Sequence, residues 1–200
     1  MNQILFIDAC VRKQSRTLRL ARCVLEGLEG EVCERRLVAE HLQPLDGESL
    51  EKRNRLLAEG TISDEMFRYA REFAAADIVV IAAPYWDMNF PALLKVYLEQ
   101  IMVCGITFQY SDEGIPRGLC HAKKLIYVTT AGGPIYFNFG FDYVKALAEQ
   151  FFGIRDVQFF HAENLDIVGN DVEQIMTEAE KTVREQFSPK GSQSVGSESP

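Results

Sequence analysis

The chain is short of positive charge. Twenty-one Lys and Arg stand against 29 Asp and Glu, a formal net charge of −8 over 200 residues. No basic patch offsets that balance, which argues against general nucleic-acid binding. An anionic ligand needs local compensation from helix N-termini or single arginines. Long apolar runs are also missing, and none is long enough to span a bilayer. The N-terminus runs straight into a strand without a basic and then apolar leader, so no secretory signal is expected. No Cys-x-x-Cys occurs, and the five cysteines (Cys10, Cys23, Cys33, Cys104, Cys120) are irregularly spaced. Reduced thiols in a cytoplasmic protein are the simplest reading. His41, His121 and His161 lie far apart without metal-ligand spacing, so no metal site is expected. Internal repeats are absent.

What is present is an alternation of short β-branched runs with helical spacings. Residues 3–8 read as a first strand, followed by a polar loop and a helix carrying Leu18, Ala21, Leu25 and Leu28, with Gly30 as its C-cap. Residues 31–37 read as a polar second strand nearer an edge. A loop with Pro44 and Gly47 and a charged helix fill residues 38–62, where Lys52, Arg53 and Arg55 read as a solvated face. A helix over 64–75, capped by Ser63, precedes strand three at 78–83. The helix at 91–104 starts with Pro91 near its first turn, where a missing N–H costs nothing. Residues 105–122 read as a long loop, a length that is often functional. Strand four (124–130), a helix over 142–152 ended by Gly153, strand five (157–161) and a helix over 171–187 complete the pattern. An Asn170…Glu173 pair resembles a capping box for that last helix. The Ser-, Gly- and Pro-rich residues 188–200 read as a disordered tail beyond a domain of residues 1–187. Five strands alternating with helices predict an α/β doubly wound parallel sheet of order 2-1-3-4-5, with helices on both faces. Its switch point lies between strands one and three, and ligands bind outside the carboxyl ends of such strands.

Three loops leave those ends. In the first, residues 9–17, the hydroxyls of Ser15 and Thr17 and the free N–H groups of the helix start make a phosphate cradle, with Arg12 and Arg16 adding charge. Plain N-capping by Ser15 or Thr17 is the alternative for this loop taken alone. The second is Pro84-Tyr85-Trp86-Asp87-Met88-Asn89-Phe90-Pro91, an aromatic loop interrupted by Asp87 and Asn89, which suits a flat ring with polar edges. An ordinary hydrophobic turn is its alternative. The third, Thr129-Thr130-Ala131-Gly132-Gly133-Pro134, lets backbone approach a ligand closely or adopt positive φ. Convergence of all three on one rim outweighs any one of them.

The first loop also fits Cys-x5-Arg, from Cys10 to Arg16, as in low-molecular-weight tyrosine phosphatases, where a thiolate attacks phosphorus. That chemistry needs a depressed thiol pKa and a general-acid Asp. The loop has no Gly and the chain has no Asp-Pro, so the phosphatase using Cys10 stands as a minority alternative.

Together the loops resemble the flavodoxin-like NAD(P)H:quinone reductase and FMN-dependent NADH-azoreductase family. The resemblance lies in residues 9–17, 84–95 and 129–133, with a further stretch from Phe108 to Lys124 similar to a loop that overhangs the flavin. It covers residues 1–187. It implies a flavodoxin-like fold and an FMN cofactor, with FAD as a possibility. Ser15, Arg16 and Thr17 would hold the phosphate. Pro84, Tyr85, Trp86, Asp87 and Met88 would line the isoalloxazine ring. Thr130, Ala131, Gly132 and Gly133 would meet its pyrimidine end, and Tyr110 would sit near the substrate side. Cys10, Asp87 and Met88 depart from the family's usual residues, and a carboxylate beside the ring would disfavour its anionic reduced form.

The expected activity is therefore FMN-dependent hydride transfer from NAD(P)H to a quinone, azo or nitro acceptor by a ping-pong scheme. The cofactor carries the chemistry, so no acid or base is named. Tyr85, Trp86, Asp87 and Tyr110 are candidates for positioning ring and substrate. The resemblance also implies a homodimer, with helix 91–104 and the aromatic run 136–141 as candidate interface. A non-catalytic electron carrier or redox sensor is the competing class on the same fold. NADH and NADPH are not distinguished.

Overall fold

The computed structural model describes residues 1–188. Of the expected tail at 188–200, Ser188 caps the last helix, its N–H donating to the Arg184 carbonyl at 2.9 Å, and residues 189–200 lie outside the described residues. Five parallel strands form the main sheet: β1 (Asn2–Asp8), β2 (Gly30–Arg36), β3 (Ile78–Ala82), β6 (Lys124–Thr130) and β7 (Asp156–Ala162), in the order β2-β1-β3-β6-β7. This is the expected 2-1-3-4-5 order. The three central strands are apolar almost throughout because both faces are covered. Side chains alternate between those faces. Ile4, Phe6, Val80, Ala82, Ile126 and Val128 pack under α1 (Arg16–Glu26) and α6 (Val172–Phe187). Leu5, Ile7, Val79, Ile81, Leu125 and Tyr127 pack against α3 (Arg68–Ala75), α4 (Ala92–Ile101) and α5 (Phe139–Leu147). Beside them, α2 (Gly47–Ala58) buries Leu56 in a small cluster with Phe67, Ala70, Val103 and Ile106.

Several local expectations are corrected. The C-cap of α1 is Gly27, where a Cβ would sit 2.7 Å from the Phe187 side chain; Gly30 instead opens β2. Asp64, not Ser63, caps the turn that leads into α3, accepting from the Met66 N–H at 2.9 Å. Asp171, not Asn170, caps α6, accepting from the Gln174 N–H at 3.0 Å, while Glu173 pairs with Arg19. Arg53 is not on a solvated face. Its half-buried guanidinium donates to the Glu99 and Met102 carbonyls and so caps α4. Residues 105–122 are not simply a loop. They hold an antiparallel hairpin, β4 (Phe108–Tyr110) with β5 (Pro116–Gly118).

The hairpin's position matters for the site. Its return segment is tied to the amino ends of the strands, by His121 N–H to the Ala74 carbonyl at 2.8 Å and Lys123 N–H to the Asp77 carbonyl at 3.0 Å. Gly118 lies against Phe152, so tightly that a Cβ would meet the Phe152 backbone at 2.2 Å. Phe152 ends the π-helical extension of α5, whose other end is at Phe139 near the carboxyl ends. Fourteen helical residues, about 20 Å, separate the hairpin from the opposite rim.

Candidate functional site

The carboxyl ends of β1, β3, β6 and β7 align, with Asp8 opposite Ala82 and Thr130 opposite Ala162. A cavity of about 260 Å³ opens there. From the first loop it takes Val11, Arg12, Gln14, Ser15, Arg16 and Thr17, from the second Pro84, Tyr85 and Trp86, and from the third Thr130, Ala131 and Gly132. Leu165 and Asp166 come from the loop after β7.

The first loop does two jobs at once. Ser15 is the N-cap of α1, its Oγ accepting from the Leu18 N–H at 3.2 Å. An accepting hydroxyl keeps its own proton, so Ser15 still has a donor to offer a ligand. The N–H groups of Arg16 and Thr17 come before the first helical bond, from the Arg19 N–H to the Ser15 carbonyl at 3.0 Å. Two free amides, a hydroxyl donor and the positive end of the α1 dipole converge on one spot, which suits a phosphate monoester. Thr17 is buried, and its hydroxyl is 2.6 Å from that of Thr130, joining the first loop to the third. Arg12 is exposed and has no ion-pair partner among the described residues. Behind the loop, the buried Asp8 carboxylate accepts the Cys10 N–H at 2.8 Å, with the Arg36 guanidinium 3.9 Å away.

Cys10 is itself buried. Its thiol points at the Ala82 carbonyl, and burial pushes its pKa well up. A phosphatase nucleophile needs the opposite, an accessible thiol with a depressed pKa. The phosphatase alternative is corrected accordingly.

The second loop is a tight β-turn. Trp86 and Asn89 exchange backbone hydrogen bonds of 2.9 and 2.7 Å around Asp87 and Met88, which take φ +52° and +62°. Both central residues at positive φ define a type I′ turn, normally built with Asn or Gly. Asp tolerates this conformation, but Met does so at a cost of about 1–2 kcal/mol. Two contacts from the chain before and within α5 hold the turn. The Tyr85 hydroxyl donates to the Phe137 carbonyl at 2.6 Å, and the Phe139 N–H donates to the Met88 carbonyl at 3.1 Å. Trp86 and Met88 remain 43% and 49% exposed, two large apolar groups at the rim.

Of the expected contacts, Ser15, Arg16, Thr17, Pro84, Tyr85, Trp86, Thr130, Ala131 and Gly132 line one cavity. Asp87 and Met88 form the turn's tip beyond Trp86, and Gly133 stands just outside the lining. Neither Gly132 nor Gly133 has positive φ, which leaves close backbone approach as the use of the pair, with Gly132 in the cavity wall. Tyr110 does not join this cavity within the chain: it is 55% exposed on the hairpin at the far end of the sheet. Leu165 and Asp166 are the unforeseen contributors. The signal for them was present, since their loop also follows a parallel strand and opens on the same rim.

A doubly wound sheet with a phosphate cradle after β1 and a ring-sized aromatic rim after β3 defines a flavodoxin-like protein. The chain belongs to the family described as having the flavodoxin-like fold, which matches residues 2–187. Among curated relatives, an FMN-dependent NADH:quinone oxidoreductase of Lachnoclostridium phytofermentans is 37% identical, over 86% of this chain and 91% of its own length. Another of that name, from Clostridium perfringens, is 33% identical over 89% of this chain and 94% of its own. The azoreductase of Bacillus anthracis superposes with a TM-score of 0.80 at 24% identity, covering 94% of this chain and 99% of its own, a likeness of fold.

Proposed function

We propose that the cavity binds FMN and that the protein is an FMN-dependent oxidoreductase transferring a hydride from NAD(P)H to a quinone or azo acceptor. The observation that carries this reading is one cavity joining the α1 phosphate cradle to the Pro84–Trp86 rim. The names of the relatives at 37% and 33% identity support it. FMN, when bound, supplies the redox centre, and the protein supplies placement and electrostatics.

The chain's own residues have separable tasks. Ser15 and the Arg16 and Thr17 amides receive the phosphate. Pro84, Tyr85 and Trp86 flank the ring, and Thr130, Ala131 and Gly132 present backbone to its polar edge. Asp87 and Met88, at the tip of the turn, face whatever approaches the rim. No residue of the cavity needs to exchange a proton in a hydride transfer, so none is assigned as acid or base.

A homodimer is part of this reading. The apolar residues Leu94, Tyr97, Leu98 and Ile101 of α4 are buried in the chain's own core, whereas Tyr136, Phe137 and Phe139 are 82%, 61% and 53% exposed beside the rim. A patch of that kind next to a site favours a protein partner. A cytoplasmic location fits the five cysteines, all unpaired. None of the described helices is long and apolar enough to cross a membrane.

The test is an absorption spectrum of protein incubated with FMN and desalted, followed by NAD(P)H oxidation with a quinone. Retained flavin and rapid turnover support the reading. A colourless protein overturns it. Retained flavin without NAD(P)H oxidation, even with an artificial acceptor, points to the electron carrier instead.

A further inference from the structure

The loop after β7 carries no residue of the three motifs, yet it is locked to the third loop by backbone hydrogen bonds. Ala131 N–H donates to the Ala162 carbonyl at 2.9 Å, Asn164 N–H to Gly133 at 3.1 Å, Leu165 N–H to Ala131 at 3.2 Å and Asp166 N–H to Gly132 at 2.8 Å. Asp166 is therefore held rigidly at the cavity wall. Its carboxylate accepts from Arg16 Nη1 at 2.7 Å, and the same nitrogen donates to the Leu165 carbonyl at 3.4 Å. Only Nη1 is used. Nη2 and Nε keep their donors, and Arg16 and Asp166 both line the cavity beside the α1 N-terminus.

We infer that Asp166 is a positioning residue for cofactor binding: it anchors Arg16 by one nitrogen so that the rest of the guanidinium fork faces the phosphate cradle. The inference rests on the reading of the cavity as an FMN site. A free arginine loses much of its rotamer freedom on binding a phosphate, and an anchor makes that loss at folding instead. The carboxylate itself opposes a phosphate dianion, but it is 65% exposed and well screened. Anchoring therefore outweighs repulsion. The glycine at 132 has a reason in this arrangement. A Cβ there would stand 2.4 Å from Asp166 Oδ2, so the pair Gly132 and Asp166 occupy one space between them.

Fluorescence titration with FMN and with riboflavin, which lacks the phosphate, tests this. Asp166→Ala is expected to weaken FMN binding about tenfold, on the scale of one ordered arginine side chain, and to leave riboflavin binding unchanged. Asp166→Asn keeps an acceptor for Nη1 and is expected to restore most of the FMN affinity. The double variant Asp166→Ala, Arg16→Ala should bind FMN no more weakly than Arg16→Ala alone, because Asp166 acts through Arg16. Equal losses for FMN and riboflavin overturn the inference, as does unchanged or tighter FMN binding in Asp166→Ala. Additive losses in the double variant overturn it too. If the unaltered protein binds neither flavin, the FMN reading itself falls.

Discussion

Cys10 and Cys120 are pushed up in pKa by the same cause, burial, Cys120 from 9.0 to about 12. The buried phenols of Tyr97 and Tyr127 are raised above 10.0 likewise. In the unfolded chain the thiols ionise near 9.0, whereas the folded protein holds their protons. Their contribution to stability is therefore complete below about pH 9 and is lost as pH rises through the folded-state values. Urea midpoints measured from pH 7 to 10.5 should stay level to about pH 8.5 and then fall; a level profile throughout would mean these groups ionise equally in both states. Arg53 offers a second residue-scale test. It supplies charged donors to the half-buried C-terminus of α4, so Arg53→Ala should cost about 1.5–3 kcal/mol, read from chemical denaturation. An effect under 0.5 kcal/mol would return Arg53 to a solvated face.

Among the elements, the Trp86–Asn89 turn stores the most evident strain. Two non-glycine residues at positive φ are over-determined by four hydrogen bonds from Trp86, Asn89, Tyr85 and Phe139, a pattern that accompanies functional sites. Met88→Gly relieves that strain and should raise stability by about 0.5–1 kcal/mol after the entropy of glycine is counted. The same change removes a rim side chain, so a higher melting temperature should come with weaker acceptor binding, seen as a raised KM. A lower melting temperature would show that Met88 is instead held by packing. At the other end of the sheet, the β4–β5 hairpin owes its seat to Gly118 against Phe152, a contact no periodicity could announce.

For the molecule as a whole, the exposed aromatic patch and the rim lie on one side. Sedimentation should report twice the 22.6 kDa of the chain, and Tyr136→Ser with Phe137→Ser should shift it toward monomer while the circular dichroism spectrum is kept. A chain that sediments as a monomer before mutation would show that the patch serves something other than self-association.

The sequence by itself determined the sheet and most of the cradle. Buried parallel strands are unbroken apolar runs, so β1, β3 and β6 were legible with their order. The loops after them inherit their position from topology, which brought Ser15, Arg16, Thr17, Pro84 to Trp86 and Thr130 to Gly132 to one rim. The caps at Asp64 and Asp171 lie one residue from those expected, because several polar residues compete at each helix start, and the α1 C-cap at Gly27 lies three residues before Gly30, because two glycines compete there; only tertiary contacts choose among them. The fate of Cys10 needed burial, Tyr110 needed the docking of a hairpin, and the Arg16–Asp166 pair joins residues 150 positions apart. Side-chain partners of that separation are decided only by folding, because hydrophobic pattern carries no record of which charges will meet.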